Sequence, residues 1–333
     1  MDATDGTPQE RSAGSRGRQG FFSLKLRPWH VLGLFVVLAC LATLAGFLGR
    51  WWWRFENFGA FKVQGAVFLA LAAAAFWLAK RRNSAIVAAV FALVNAAAFV
   101  PLYFGGNSPA GPAQFRVMLI NVHTANTDYE AVRTAVRRER PDALVALEVN
   151  QRWVAELDHL RDEWPFRKQM PRPDNFGIVL YSRTQPVAAH ILHLGEAEVP
   201  TVLARYDVAG KRLTLIGTHP VPPVNLEYVA WRNEQMALLA ELIRATPGAV
   251  VLVGDLNMTA DSPVFRDFCS ASGLRDSRQG FGVQATWPAH LPPLLIPIDH
   301  CLVSREVLVR SRRVGKYVGS DHFPVIADFS VKE

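Results

Sequence analysis

The chain has 333 residues, half of them hydrophobic, and a formal charge of +7. That length fits two ordinary domains, or a membrane segment with one large domain. Three cysteines exclude a disulfide framework, and no Cys/His spacing of the structural-zinc type occurs.

Residues 1–28, rich in Gly, Ser and Arg, read as a disordered cytoplasmic N-terminus. Within 29–104, three nearly charge-free stretches stand out: Val31–Gly49, Gly65–Ala79 (extendable back to Ala60) and Ser84–Phe104. Each is near the roughly 20 residues that cross a bilayer, and together they predict three transmembrane helices. A cleaved signal peptide competes for the first stretch. It is disfavoured because about 30 residues precede it, no clear small-x-small site follows, and two more apolar stretches do. Trp29 and Trp51, Trp52 and Trp53 flank the first span at headgroup depth. Asn95, inside the third, reads as a polar side chain bonding a neighbouring helix.

Lys and Arg near span ends stay cytoplasmic. Arg11, Arg16, Arg18, Lys25 and Arg27 precede the first span, and Lys80, Arg81 and Arg82 separate the second from the third. Three spans then place the rest of the chain outside the cytoplasm: a multi-pass inner-membrane protein with a periplasmic domain. Residues 113–333 carry 25 basic and 25 acidic side chains. The positive excess is thus a topology signal rather than a nucleic-acid surface. One local cluster, Arg305, Arg310, Arg312, Arg313 and Lys316, is a candidate for phosphate or anionic lipid, weighed against a solvated rim.

GGNSPAGPAQ (105–114) is a linker. Residues 115–333 then alternate short apolar strands with helical stretches. FRVMLINV, DALVALEV, FGIVLYS, TVLARYDVA, RLTLIGTH, AVVLVGDLN, IDHCLVS and PVIADFSV read as strands. YEAVRTAVRRER (capped by Thr127 or Asp128 and stopped at Pro141), WRNEQMALLAELIRAT and SPVFRDFCSAS read as helices. Many strands with few helices predict an α/β (α+β) sandwich of mixed sheets flanked by helices, one domain. Cys269 and Cys301 read as buried free thiols.

Polar residues collect at the strand ends. Asp255 and Asn257, two apart, project to one side. Asn121 closes VMLIN, Glu148 closes LVALE, His219 closes LTLIGTH, Asp299 and His300 open IDHCLV, and Ser320, Asp321 and His322 precede PVIADF. Oxygen ligands of this kind suit Mg²⁺, which takes one or two carboxylates, waters and substrate phosphate. A histidine held by a carboxylate serves as base or charge stabiliser. Metal-assisted phosphoester hydrolysis fits these parts best.

In order and wording, LINVHTAN, ALVALEVN, FGIVLYSR, LIGTHP, VVLVGDLNMT, PIDHCLVS and GSDHFP resemble the endonuclease/exonuclease/phosphatase superfamily over nearly all of 115–330. The resemblance implies a four-layer sandwich with its active site at one end of two packed sheets. It implies Glu148 as principal metal ligand, supported by Asn121 and completed by Asp321. Asp255 would orient or deprotonate water, Asn257 would bind phosphate, His219 would contact a phosphoryl oxygen and Asp299 would hold His322. The implied cofactor is Mg²⁺, with Mn²⁺ as substitute, and the implied mechanism is in-line attack without a covalent enzyme intermediate.

His300 points to the other face and reads as structural. Asn126 and Asn150 stand between site and turn roles, and Arg232 between substrate contact and solvated face. His123, His159, His190, His193 and His290 read as surface or packing residues. The predicted function is a membrane-anchored phosphodiester hydrolase acting on nucleic acid or a phospholipid headgroup. A phospholipase C-type enzyme or phospholipid or inositol-phosphate phosphatase is one alternative, and a catalytically silent membrane-bound binding module another. No protein partner follows from the sequence.

Overall fold

The computed structural model describes residues 27–105 and 111–332. The expected N-terminal disorder thus lies almost wholly outside the described residues, as does the middle of the linker.

Four helices come first: α1 (Pro28–Phe47), α2 (Trp53–Gly59), α3 (Lys62–Leu78) and α4 (Arg82–Ala96). α1, α3 and α4 pack around Leu69 and Phe76, with Ala66, Ala72, Ala85, Ala88 and Ala92 buried nearby. Small side chains permit that close approach. Asn95 Nδ2 donates to Thr43 Oγ1 of α1 at 2.8 Å, the interhelical bond expected from the sequence. The outer flanks leave Leu34, Phe35, Leu41, Leu71 and Leu93 exposed.

The expectation of three separate spans needs correction. Among the described residues only α1, at 20 residues, is long and apolar enough to cross a membrane by itself. A second candidate arises only if α2 and α3, bent by 57°, count as one, and α4 has 15 residues. Hydropathy does not register where a helix breaks. Here the chain turns at Ala60 and Phe61, and the third apolar run leaves α4 for a 3-10 turn at Val100–Tyr103 that contains Pro101.

Two sheets follow. The first contains β1 (Phe115–Asn121), β2 (Ala143–Leu147), β3 (Phe166–Met170), β4 (Ile178–Ser182), β11 (Val307–Val314) and β12 (Val325–Val331), in the order β11-β12-β1-β2-β4-β3. The second contains β5 (Ala188–His193), β6 (Pro200–Val208), β7 (Lys211–Thr218), β8 (Ala249–Asp255), β9 (Arg275–Asp276) and β10 (Asp299–Val303), in the order β5-β6-β7-β8-β10-β9. Both are mixed, since β1 runs parallel to β2 and β7 to β8 while the other pairings are antiparallel.

Helices α5 (Tyr129–Glu139) and α6 (Gln151–Leu157) cover the first sheet; α7 (Leu226–Ala245) and α8 (Pro263–Ser272) cover the second. Four layers result. Their ends carry capping side chains: Asp128 Oδ1 accepts from Ala131 N before α5, Asn225 Oδ1 from Tyr228 N before α7, and Ser262 Oγ from Val264 N before α8. Asn150 caps α6 in the same way, and Asn126 holds a turn through Asp128 N and the Val318 carbonyl, so both serve local structure. Both soluble-part cysteines are free thiols, Cys301 buried and Cys269 half-buried.

The helical bundle abuts the second sheet's side of the sandwich. Arg232 of α7, 1% exposed, makes a bidentate ion pair with Glu56 of α2, both bonds 3.1 Å. Lys62 pairs with Asp261 at 3.2 Å and Arg50 with Asp267 at 2.8 Å. Arg232 therefore neither faces solvent nor stands ready for substrate.

Candidate active site

Strand alternation explains how distant residues meet. Along β1, Phe115, Val117 and Leu119 fill the space between the sheets; along β7, Leu213 and Leu215; along β8, Ala249, Val251 and Val253; along β10, Cys301 and Val303. Side chains two apart share a face. Asn121, Asp255 and Asp299 each occupy the next such position, and His219 the one beyond Gly217, at the end of this apolar layer; all four are buried.

Glu148 has the wrong parity. Leu147 faces the inter-sheet layer, so a regular continuation would turn Glu148 toward the helices. Instead Glu148 adopts φ of 59°, a left-handed conformation uncommon for such a residue, and its side chain swings back to Asn121. Thr124 holds it there, donating its hydroxyl to the Glu148 carbonyl at 2.9 Å and its backbone N–H to Oε2 at 3.3 Å.

Asn121 is the hub. Its Nδ2 lies 2.9 Å from Glu148 Oε1, 3.2 Å from Asp255 Oδ2 and 3.5 Å from His322 Nε2. Asp255 Oδ1 accepts from Asn257 N at 2.9 Å, which leaves Oδ2 facing His219 Nε2 at 3.5 Å and His322 Nε2 at 3.6 Å. Asn257 turns on a φ of 52° and sets Nδ2 3.2 Å from His219 Nε2 while donating to the Pro220 carbonyl at 2.9 Å. Opposite, His322 Nδ1 donates to Asp299 Oδ2 at 2.8 Å. All eight residues expected from the sequence are brought into this region, Asp321 at its more open edge.

Electrostatics separate the two buried aspartates. Burial raises the Asp255 carboxyl, and the Asp299 charge raises it further, against His322 and His219. Burial would raise Asp299 as well, but His322 beside it holds it below the usual carboxylate range. For His322, burial works downward; the carboxylates of Asp299 and Asp255 overcome it and push the imidazolium up to about 10.

Asp255, Asp299 and His322 form a trio whose ligand atoms lie within 4.8 Å of one another. Asp299 and His322 nevertheless engage each other, which suits this trio to holding a proton. Glu148 and Asp321, the expected ligands, stand outside it. The carboxylate oxygens of Glu148 and Asp321, less buried than Asp255 and Asp299, are hard ligands that fit Mg²⁺ or Mn²⁺ and not a thiolate-seeking metal.

Several contributors escaped sequence reading. His123 Nδ1 sits 3.3 Å from Asp321 Oδ1, so it is no mere surface residue; adjacency to Asn121 was the available signal. Trp287 Nε1 donates to Asp321 Oδ2 at 3.1 Å, and Phe176 lies against the His219 ring with centroids 5.5 Å apart. Ser320, already singled out with its neighbours in the sequence, donates Oγ–H to the Asn121 carbonyl at 2.7 Å, tying the end of β1 to the segment before β12, its neighbour in the first sheet. His300 faces away, donating Nε2–H to the Met258 carbonyl at 2.8 Å, and burial lowers it to about 4. The Arg305–Lys316 cluster is not one surface: Arg312 is buried against the Asp299 carbonyl, Arg313 pairs with Glu139 and Arg305 with Glu306.

Residues 118–322 match the model of the Endonuclease/Exonuclease/phosphatase family. No curated protein sequence matches the chain. Among solved structures, a Beutenbergia cavernae endonuclease/exonuclease/phosphatase is similar at 20% identity and TM-score 0.52, over 66% of this chain and 72% of that one. The human Nocturnin catalytic domain with bound sulfate is similar at 18% and 0.54, over 66% and 94%. D. rerio TDP2 complexed with single strand DNA product is similar at 16% and 0.55, over 65% and 99%. At these identities the likeness is one of fold.

Proposed function

The chain belongs to the endonuclease/exonuclease/phosphatase family, and we propose that it is a membrane-anchored, Mg²⁺-dependent phosphodiester hydrolase, a nuclease or another phosphodiesterase. The observation that carries this reading is the convergence of Glu148, Asp255 and His322 on Asn121, from strand ends of both sheets.

Glu148, with Asn121 and Asp321, would hold the metal. When bound, Mg²⁺ supplies positive charge to the phosphoryl oxygens and acidifies a water. Asp255 Oδ2, raised by burial and unengaged by its own turn, orients that water and takes its proton. His322, kept charged by Asp299, and His219 with Asn257 face the phosphoryl oxygens, where their N–H groups stabilise the charge that builds in the transition state. Among the described residues at the site no protein nucleophile competes. Ser320 Oγ is bonded to the Asn121 carbonyl, and burial pushes the Cys301 thiol up to about 12. Direct attack by water, in line with the leaving oxygen, is the mechanism these groups support.

Anchoring rests on α1 and the exposed leucines that flank its bundle. Arg27 stands at one end of α1, with further basic residues before it in the sequence; the sandwich docks at the other end, through Arg50 and Asp267. Basic residues held in the cytoplasm would put the catalytic domain on the periplasmic side. Reporter fusions after Phe104 test this; activity of the reporter only in the cytoplasm contradicts it.

The chemical reading is tested with full-length protein in detergent, assayed on bis(p-nitrophenyl) phosphate with Mg²⁺, Mn²⁺ or EDTA, beside calorimetric metal titration. Metal-dependent hydrolysis supports the enzyme. Neither hydrolysis nor metal binding would make the chain a silent binding module.

A further inference from the structure

Four large apolar side chains stand exposed on the two loops that frame the site. Val224 and Leu226, 62% and 72% exposed, close the turn that follows His219 and begin α7. Leu291 and Leu294, 45% and 47% exposed, lie on the turn between Trp287 and Asp299. Both loops are tied to the site. The Pro220 carbonyl accepts from Asn257 Nδ2, and on the other loop Ala289 N donates to the Asp321 carbonyl at 2.7 Å.

The second loop is tied equally to the helical bundle, because Gln64 Nε2 of α3 donates to the Leu295 carbonyl at 2.8 Å. Leu295 lies four residues before Asp299, and Asp261, the partner of Lys62, lies four residues after Asn257. Besides the second sheet's side, the bundle therefore also meets loops at the end of the sandwich that carries the site. Trp51 and Trp52 are exposed where α1 ends, next to Arg50, the partner of Asp267.

We propose that Val224, Leu226, Leu291 and Leu294 seat in the surface of the bilayer that holds the bundle, and that the substrate is the phosphodiester of a lipid headgroup in that bilayer. This rests on the phosphodiester-hydrolase reading and gives it a substrate class. Single exposed apolar residues are ordinary on any protein. Here four of them stand on two loops tied to one site, and one of these loops is bonded to a bundle whose own flanks are apolar. Side chains of this kind lodge at the boundary between headgroups and acyl chains, the depth at which a lipid phosphodiester lies.

Nucleic acid fits the same rim poorly. Its phosphates call for Lys and Arg around the site, and in the one basic cluster Arg313, Arg305 and Arg312 are directed to Glu139, Glu306 and the Asp299 carbonyl, and Arg310 bonds Ser330. In the reaction the water oxygen joins phosphorus, the bond from phosphorus to one ester oxygen breaks, and the leaving alkoxide takes a water proton. A phosphomonoester and an alcohol result, with no change of oxidation state.

The test uses full-length protein reconstituted into vesicles of phosphatidylcholine, phosphatidylethanolamine and phosphatidylglycerol with Mg²⁺, scored for released phosphorylated or free headgroup. Bis(p-nitrophenyl) phosphate and a single-stranded DNA oligonucleotide serve as soluble comparators. Wild type is expected to hydrolyse vesicle lipid. The paired variants Leu291→Ser/Leu294→Ser and Val224→Ser/Leu226→Ser are expected to lose about tenfold or more on lipid, as the lost apolar burial implies, and to keep the chromogenic rate, which also reports that they fold. Hydrolysis of a soluble comparator without lipid hydrolysis overturns the inference and leaves the phosphodiesterase reading standing. Undiminished lipid hydrolysis by both variants overturns the docking surface. No hydrolysis of any of these phosphodiesters overturns the reading itself and this inference with it.

Discussion

His322 Nδ1 donates to Asp299 Oδ2 at 2.8 Å, and this one bond spans the two sheets, since Asp299 opens β10 in one and His322 precedes β12 in the other. It fixes the ring so that Nε2 faces Asp255 and Asn121. Asp299→Asn keeps the shape and removes the charge. We expect kcat to fall by about 10²–10⁴, the scale seen when an orienting aspartate beside a catalytic histidine is neutralised, with KM little changed and circular dichroism unaltered. A wild-type kcat would mean that the ring is held by something else.

Gly254 gives the second prediction. A Cβ there would overlap the Thr218 carbonyl oxygen of the parallel neighbour β7, and two hydrogen-bonded backbones have nowhere to move. Gly254→Ala should destabilise by about 1–3 kcal/mol or more, as overpacking does, and displace Asp255. A thermal melt and an activity assay check both; a variant as stable as wild type contradicts the packing.

Asp276 ties stability to acid pH. Burial would raise this carboxyl, but Arg278, whose Nη2 and Nε both donate to Asp276 Oδ2 at 2.6 and 2.9 Å, holds it well below the usual range. With the folded pKa under the unfolded value of about 3.9, the carboxylate stabilises the fold above that pH, and the contribution fades as pH falls below it. Asp276→Asn should cost about 3–5 kcal/mol at neutral pH by leaving Arg278 unpaired. The gap in Tm between variant and wild type should narrow below about pH 4; a gap constant with pH speaks against the ion pair.

The seam between bundle and sandwich yields a fourth. Glu56→Gln strands Arg232 in a buried position and should loosen the docking, read as faster limited proteolysis near residues 104–112. The charge swap Glu56→Arg with Arg232→Glu should restore part of the protection. Equal cleavage of wild type, Glu56→Gln and the swap would show that the pair does not hold the seam.

Much of this was legible because burial leaves a plain trace. Central strands such as VVLVGD and VMLIN read as unbroken apolar runs ending in polar residues, and those ends became the site. The strands missed were β3, β5, β9 and β11. All four lie at sheet edges, and β9 has only two residues. FRKQM and VLVRSRRV are half-exposed and mix charge with apolar residues, so neither alternation nor a continuous run marks them. Arg232 misled for a related reason: its partner Glu56 is 176 residues away, beyond the reach of local pattern. Glu148 was marked by its place at a strand end and took its role as metal ligand from the resemblance; regular parity would have turned it from the site, and its left-handed backbone brings it back.

The central claim is that Glu148 and Asp255 serve a metal-dependent hydrolysis at phosphorus. Its most direct test is the Mg²⁺-dependent rate on bis(p-nitrophenyl) phosphate for full-length wild type, Glu148→Ala and Asp255→Ala, each shown folded by circular dichroism. The account predicts a wild-type rate abolished by EDTA and losses of at least about 10³-fold in both variants, the scale expected when a group stabilising transition-state charge is removed. Retained activity in both folded variants, or a rate indifferent to EDTA, would contradict it.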